Sequence, residues 1–302
     1  APHPLGGCAY PGRMTTAVTG EAPEIRFDAV SKTFADGTAA VRDFSLTAPA
    51  GRITVLVGLS GCGKTTLLRM VNRLVAPTSG RVLIGDRDVA GSDPVALRRS
   101  IGYAMQNSGL LPHRRVVDNI ATVPVLLGRT RRRARADALG LLERVGLDES
   151  LAMRYPGQLS GGQAQRVGVA RALAADPDVL LMDEPFGAVD PIVRTGLQGD
   201  LAGLQADLSK TILFVTHDIG EAFALGDRIV LLETGARIAQ TGTPQELIAH
   251  PASAYVSDLI GLTGGASALS VDEVDGARIV VDANGRPLGR LGSIDGHPAG
   301  RA

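Results

Sequence analysis

Four groups of residues in this chain have side chains of the right type and spacing for chemistry on a phosphorylated ligand. The first is the stretch Gly58-Leu59-Ser60-Gly61-Cys62-Gly63-Lys64-Thr65-Thr66. It follows the apolar run Ile53 to Val57 and precedes Leu67, Leu68, Val71, Leu74 and Val75, so it reads as a loop between a buried strand and an amphipathic helix. Glycines there let successive backbone N–H groups face one concavity at the positive end of a helix, which is the phosphate-binding P-loop pattern. Lys64 can then reach the β- and γ-phosphates of a nucleotide, and the Thr65 hydroxyl can ligate Mg²⁺. An ammonium suits that point-charge role, and the chain keeps lysine here although Lys32, Lys64 and Lys210 are its only lysines among 31 basic residues.

The second group is Asp183-Glu184, which ends the all-apolar run Val179 to Met182. Two adjacent carboxylates at the end of a buried strand are costly unless they meet a cation or do chemistry; the alternative is a pair of solvated loop acids. In a P-loop enzyme the first would hold Mg²⁺ and the second could take a proton from water. The third is Ser160-Gly161-Gly162-Gln163, where Ser160 is placed to cap a helix whose first N–H groups are flanked by glycine. It is either a second anion-binding helix start or an ordinary capped helix. The fourth is a pair of single polar residues. Gln106 follows the strand-like run Ile101 to Met105, and His217 follows Thr211 to Thr216. Each is a candidate because ligands in open α/β sheets bind at the C-terminal strand ends, and each could instead be structural. Phe34, just past a first strand at Glu24 to Val30, could stack on an adenine ring or fill the core.

The elements that would position these groups are legible around them. A second strand is expected at Ala40 to Thr47, a short one at Arg81 to Ile84, and a hairpin from Arg228–Leu232 and Ala236–Thr241 about the turn Thr234-Gly235. Asp93-Pro94 and Thr243-Pro244 with Glu246 read as helix starts. From about Val116 to Met153 the pattern becomes helical, with Ala138, Leu141, Leu142 and Val145 on one face. The run Arg129 to Arg135 overlaps that region and reads as a solvated helix start rather than a nucleic-acid or lipid patch.

The totals are those of an ordinary globular protein. The 302 residues are 44% hydrophobic and 21% charged with zero net charge, so there is no bulk attraction to nucleic acid. No run of about 18 apolar residues is present, so membrane association is expected only through a partner. Cys8 and Cys62 give no disulfide framework, which fits a reducing compartment. Residues 1–13 read as an upstream extension, and 1–23 are expected to be disordered. Gly264 to Ser267 reads as a linker. Cys62, beside Lys64 and a helix N-terminus, is expected to have an activated thiol that ATP protects from alkylation.

Taken in order, Phe34, Gly58–Thr66, Gln106, Leu159–Gln163, Leu180–Glu184, Gly187–Asp190 and His217 resemble the ATPase subunit of an ATP-binding-cassette (ABC) transporter. They match that family's adenine-stacking loop, Walker A, Q-loop, signature, Walker B, D-loop and switch histidine over about residues 24–262. Two departures are mild: Ala164 follows the signature, and the D-loop reads Gly187-Ala188-Val189-Asp190. The resemblance implies an α/β P-loop NTPase fold: a RecA-like core, an N-terminal antiparallel β portion and an inserted α-helical subdomain near 107–160. It implies ATP and Mg²⁺ as ligands, with Thr65, Gln106 and Asp183 at the metal and Glu184, His217, Lys64 and Gln106 as catalytic groups. It further implies a head-to-tail homodimer, in which Ser160, Gly161, Gly162 and Gln163 of one copy face Lys64 of the other. Permease subunits, with a solute-binding protein acting through them, would be the partners at the cytoplasmic face of the plasma membrane.

Three stretches, Gly109 to His113, Phe186 to Arg194 and Thr216 to Ala222, are similar to ATPases of importers for glycine betaine, choline, carnitine and proline betaine. Importers of amino acids or anions share much of this wording. The competing class, cassette proteins of translation or DNA repair, usually has fused cassettes or a coiled-coil insertion, and neither is seen. At the end of the chain, Ala277 to Gly289 reads as strand, Asn-Gly turn and strand. It resembles half of a cystathionine β-synthase-type module, or else is a frayed tail with one hairpin.

Overall fold

The computed structural model describes residues 22–187, 209–262, 270–274, 277–281 and 287–290, together with 194, 196, 198, 199, 201, 203 and 205. The expectations for residues 1–21, for Ala188 to Asp190 of the D-loop and for the Asn284-Gly285 turn lie outside these.

The core is a six-stranded sheet of β3 (Ile53–Gly58), β6 (Ile101–Ala104), β7 (Val179–Asp183), β8 (Thr211–Thr216), β9 (Arg228–Glu233) and β10 (Arg237–Gly242). Its order is β10-β9-β3-β8-β7-β6, parallel except for β10. Every residue of β3, β7 and β8 is buried. That is why these strands read as unbroken apolar runs, since a parallel sheet is covered on both faces. Alternate residues go to opposite sides. Ile53, Val55 and Val57 face one apolar cluster with Met182 and Phe214, whereas Leu56 faces the other with Leu181, Leu213 and Val215.

The second cluster is closed by an antiparallel sheet, β2-β1-β4-β5, of β1 (Ile25–Thr33), β2 (Ala39–Ala48), β4 (Ser79–Ile84) and β5 (Arg87–Asp88). Phe27 and Phe44 meet edge to face there, with ring centroids 5.3 Å apart. Between the two sheets runs α1 (Lys64–Val71), which buries Leu67, Leu68, Met70 and Val71 in that cluster.

The expected helical region is present as α3 (Val116–Ile120), α4 (Thr122–Leu126) and α5 (Arg131–Arg144), the helix expected after Ser160 is α6 (Gly161–Leu173), and α2 (Pro94–Ser100) leads into β6. Thr130 caps α5 and Asp93 caps α2, each accepting a backbone N–H in the first turn. The arginine run is ion-paired within the subdomain. Arg131 and Arg135 reach Asp118, and Arg129 and Arg133 reach Asp137. Thr243 and Glu246 form the expected capping box on α8 (Pro244–Ala249), which follows α7 (Ile219–Leu225) and precedes α9 (Ala254–Leu259). The tail has one more strand than expected. Here β11 (Ser270–Val274), β12 (Ala277–Val281) and β13 (Pro287–Arg290) pair antiparallel in sequence order.

Candidate nucleotide site

Strand register brings the candidates together. Val57 pairs with Thr216, Val215 with Asp183, and Met182 with Ala104. The next residues of all four strands therefore emerge at one sheet edge, and they include the Gly58 loop, Glu184, Gln106 and His217.

The loop after β3 is shaped by two close approaches. A Cβ at Gly58 would stand 2.4 Å from the Leu232 carbonyl oxygen, and one at Gly63, whose φ is 110°, would stand 2.5 Å from that of Ala40. Neither position tolerates a side chain. Lys64 turns back over the loop, its Nζ donating to the carbonyls of Gly58 (2.6 Å) and Leu59 (2.9 Å) and lying 3.7 Å from Cys62 Sγ. The Cys62 expectation needs correcting. Its side chain is 2% exposed and packs in the apolar cluster under the loop, so the thiol is shielded from solvent although it lies beside Lys64 Nζ. Only its backbone belongs to the site.

Thr65 Oγ1 donates to Asp183 Oδ1 at 2.8 Å, and the Tyr103 hydroxyl lies 3.4 Å from Oδ2. Asp183 is buried, and burial pushes its carboxyl above the usual range, against the pull of Thr65 and Arg69. Burial likewise raises the Tyr103 phenol. A buried carboxylate beside a threonine hydroxyl is a hard-oxygen pair, the donor set that Mg²⁺ takes when a ligand's phosphates complete its shell. Among the described residues no cluster of three His, Cys, Asp or Glu exists that could hold a metal unaided.

Glu184 is held on both oxygens. Gln106 Nε2 donates to Oε2 at 3.0 Å, and His217 Nδ1 lies 3.2 Å from Oε1. Its backbone is left-handed, with φ 46°, and its N–H donates to the Val215 carbonyl. An unfavourable backbone at a strand end is what over-determined functional positions show. The expected metal ligand Gln106 thus lies on Glu184.

His217 sits in a two-residue turn braced from below. Thr216 Oγ1 donates to Glu221 Oε2 at 2.7 Å, and Asp218 caps α7 through the N–H groups of Gly220 and Glu221. Arg194 reaches Asp218 at 3.2 Å and Glu221 at 3.7 Å. Burial raises the Glu221 carboxyl.

Phe34 is 40% exposed at the end of β1, with the Lys32 ammonium 5.3 Å from its ring centroid and anchored on the Ala76 carbonyl. It is a free aromatic face rather than core filling. Ser160 and Gln163 form a reciprocal capping box at the start of α6. Their hydrogen bonds are to one another at an exposed helix start, while those of Lys64 are to the loop after β3. Tyr103, Glu221 and Arg194 were not singled out from the sequence. Tyr103 carries the one available signal, a polar-tipped aromatic three residues before Gln106.

Comparison with known proteins agrees with this geometry. A family model described as ABC transporter matches residues 41–187. The chain is 48% identical over 237 residues to a carnitine transport ATP-binding protein, OpuCA, of Listeria monocytogenes, covering 78% of this chain and 59% of that protein. It is 46% identical over 237 residues to the glycine betaine uptake system ATP-binding protein YehX of Escherichia coli, covering 78% of this chain and 76% of that one. Among solved structures, the bacterial ABC transporter cassette MJ0796 in dimeric form matches with a TM-score of 0.69 and 33% identity, covering 73% of this chain and 98% of that chain. Its dimeric post-hydrolysis state with ADP and Pi matches at 0.67 and 31%, with the same coverage. The chain spans about six tenths of the length of the first curated relatives it matches.

Proposed function

The chain belongs to the ABC transporter family of ATP-binding proteins, and from that premise we propose that it is the ATP-hydrolysing subunit of an importer for quaternary-amine osmoprotectants such as glycine betaine, choline, carnitine and proline betaine. The observation that carries the hydrolytic reading is Glu184, a carboxylate at a strand end gripped by Gln106 and His217 and next to the Thr65–Asp183 pair.

In this reading the loop amides of residues 58–65 and the Lys64 ammonium hold the β- and γ-phosphates, and Phe34 stacks on the adenine. Thr65 and Asp183 would hold Mg²⁺, joined by Gln106 once it leaves Glu184, and the ion would supply charge neutralisation at the phosphates. Glu184 takes the proton of the water that attacks the γ-phosphorus, and ADP leaves as phosphate forms. His217 donates a hydrogen bond to the transferred phosphoryl group. Ser160 to Gln163 of a second copy close the site, a reading supported by the dimeric cassettes this chain resembles. The working unit is a homodimer on permease subunits at the cytoplasmic face of the membrane, fed by a solute-binding protein. No helix among the described residues is long and apolar enough to cross a membrane. We assign 24–263 to the ATPase domain and 264–302 to a short C-terminal extension that resembles half of a cystathionine β-synthase-type module.

The substrate class rests on the relatives' names and the three subfamily-like stretches, since the ATPase side of such a machine does not touch the solute. The test has two arms. Glu184→Gln should lower kcat for ATP by roughly 10²- to 10⁴-fold with nucleotide binding retained. A strain lacking this chain should lose uptake of radiolabelled betaine or choline and regain it only with the parent gene. Hydrolysis at the parent rate would remove Glu184 from the mechanism, and undiminished uptake of both would remove the substrate class.

A further inference from the structure

One face of α6 is applied to the loop that carries Gln106. Gln165 Nε2 donates to the Gln106 carbonyl at 3.3 Å. Arg171 Nη2 donates to the Ser108 carbonyl at 2.7 Å, and its Nη1 to that of Gly109 at 2.6 Å. Between them lies Gly168, where a Cβ would stand only 3.4 Å from Ser108 Cα and carbonyl oxygen, so the helix backbone comes close to the loop. Positions 165, 168 and 171 recur every three residues and share one side of a helix.

The loop needs such a hold. Ser108 and Gly109 both have left-handed backbones, with φ of 35° and 58°, and for serine that conformation is unfavourable. Arg171 is half-buried, and burial lowers its guanidinium below the ordinary arginine value, with no carboxylate acting on it among the described residues. A cation desolvated without a counter-ion is expensive, and its return here is two charge-assisted bonds to carbonyls of this loop. The loop in turn delivers Gln106 Nε2 to Glu184. At its other end α6 begins with the Ser160–Gln163 capping box.

We propose that Arg171, with Gln165, is a positioning residue that sets Gln106 against Glu184 and ties that placement to the helix start bearing Ser160. This rests on the ATPase reading. A shift of α6 caused at its N-terminus, by a ligand or a second copy of the chain, would carry the carbonyls of 106, 108 and 109 with it. Gln106 would then move relative to the base.

The test is a mutant cycle on the full chain. Arg171→Ala should lower kcat roughly 3- to 30-fold, a coupling-sized effect, with the Kd of a fluorescent ATP analogue changed less than about twofold. In a Gln106→Ala background the same substitution should have almost no further effect, because the residue through which Arg171 acts is gone. Arg171→Lys, which keeps the cation but can serve one carbonyl, should fall between, and it stands in if the alanine variant does not fold. Hydrogen exchange supplies a readout independent of turnover: amides of 106–111 should exchange faster in the variant, with those of β3 and α1 unchanged. Independent, multiplicative losses in the double variant, or unaltered exchange in that loop, would overturn the proposal. A parent chain without hydrolysis would instead sink the ATPase reading, and the exchange result alone would then decide whether Arg171 holds the loop.

Discussion

Asp183→Asn should make the nucleotide-free chain more stable while removing its response to Mg²⁺. Asp183 is 1% exposed, with Thr65 donating to one oxygen at 2.8 Å and Tyr103 3.4 Å from the other. Its carboxyl lies above the usual range chiefly because it is desolvated, and neighbouring Glu184 pushes the same way while Thr65, Arg69 and Tyr103 oppose. An asparagine keeps the acceptor for Thr65, and its NH₂ can donate to a Tyr103 hydroxyl turned to accept. The hydrogen bonds survive and the buried charge goes. Desolvating an ion costs several kcal/mol, and after the hydroxyls and Arg69 have returned part of that, about 1–2 kcal/mol of gain remains for the variant. At about 2–4 °C per kcal/mol for a domain of this size, Tm should rise by about 2–8 °C at pH 8. A carboxyl whose folded pKa exceeds its unfolded one contributes stability in full below the unfolded value and loses it as pH rises through the folded value. The difference between variant and parent should therefore be largest at pH 8 and shrink toward about pH 4. Calorimetric scans across that range measure it, and a second set with MgATP should show the parent gaining far more than the variant. A variant that melts below the parent at pH 8, by a margin that widens with pH, would show that Thr65 and Arg69 outweigh desolvation and would refute the argument.

Two further outcomes are expected. Cys62 should resist N-ethylmaleimide in the native chain with or without ATP, and become fully labelled only in denaturant, because its side chain is 2% exposed; peptide mass mapping decides this, and rapid native labelling would contradict the packing. Asp118→Asn should destabilise the helical subdomain by about 1–2 kcal/mol at pH 7, since Asp118 takes two bonds from Arg135, at 2.8 and 2.7 Å, and one from Arg131 at 3.2 Å. Arg135, then Arg131, hold its carboxyl below the usual range, so this stability is present above the unfolded pKa and lost as pH falls through the folded one; a urea midpoint unchanged at pH 7 would count against it.

The strands and the loop at the sheet edge were legible because burial on both faces writes itself as β-branched and leucine runs, of which Thr211 to Thr216 is the plainest. The groups that follow those runs were legible for the same reason, since Asp183, Gln106 and His217 interrupt an apolar pattern where no turn chemistry calls for them, while Lys64 was legible from the glycine spacing of its loop. Cys62 does lie beside Lys64, as its place in the loop suggested, but proximity in sequence says nothing of whether a side chain leaving a tight loop is buried. Cys62 shares an apolar cluster with Leu232 and Ala236, and the Ala236 N–H donates to the Cys62 carbonyl. Arg171, Arg194 and Glu221 were invisible for a different reason. Each looks like an ordinary polar residue of an amphipathic helix, and its meaning lies in a partner 24 to 63 residues away or in a hydroxyl below it.

The site as folded has its reactive groups occupied by one another, and this bears on how the proposed activity would be controlled. Lys64 spends its donors on the carbonyls of Gly58 and Leu59, while Glu184 spends both oxygens on Gln106 and His217. A nucleotide would have to displace the first set to bind and the second to react, so these internal bonds subtract from affinity and from rate. The two sets sit on different elements. The lysine's partners are in the loop after β3, whereas Gln106 rides on a loop clamped by α6. Binding could therefore proceed in one chain without freeing the base. Freeing it from Gln106 would involve the loop held by α6, and the start of α6 is the part the proposed dimer would place against the other copy's nucleotide. In the proposed dimer, contact at the start of α6 would give the second copy a route to Gln106 and so to the base.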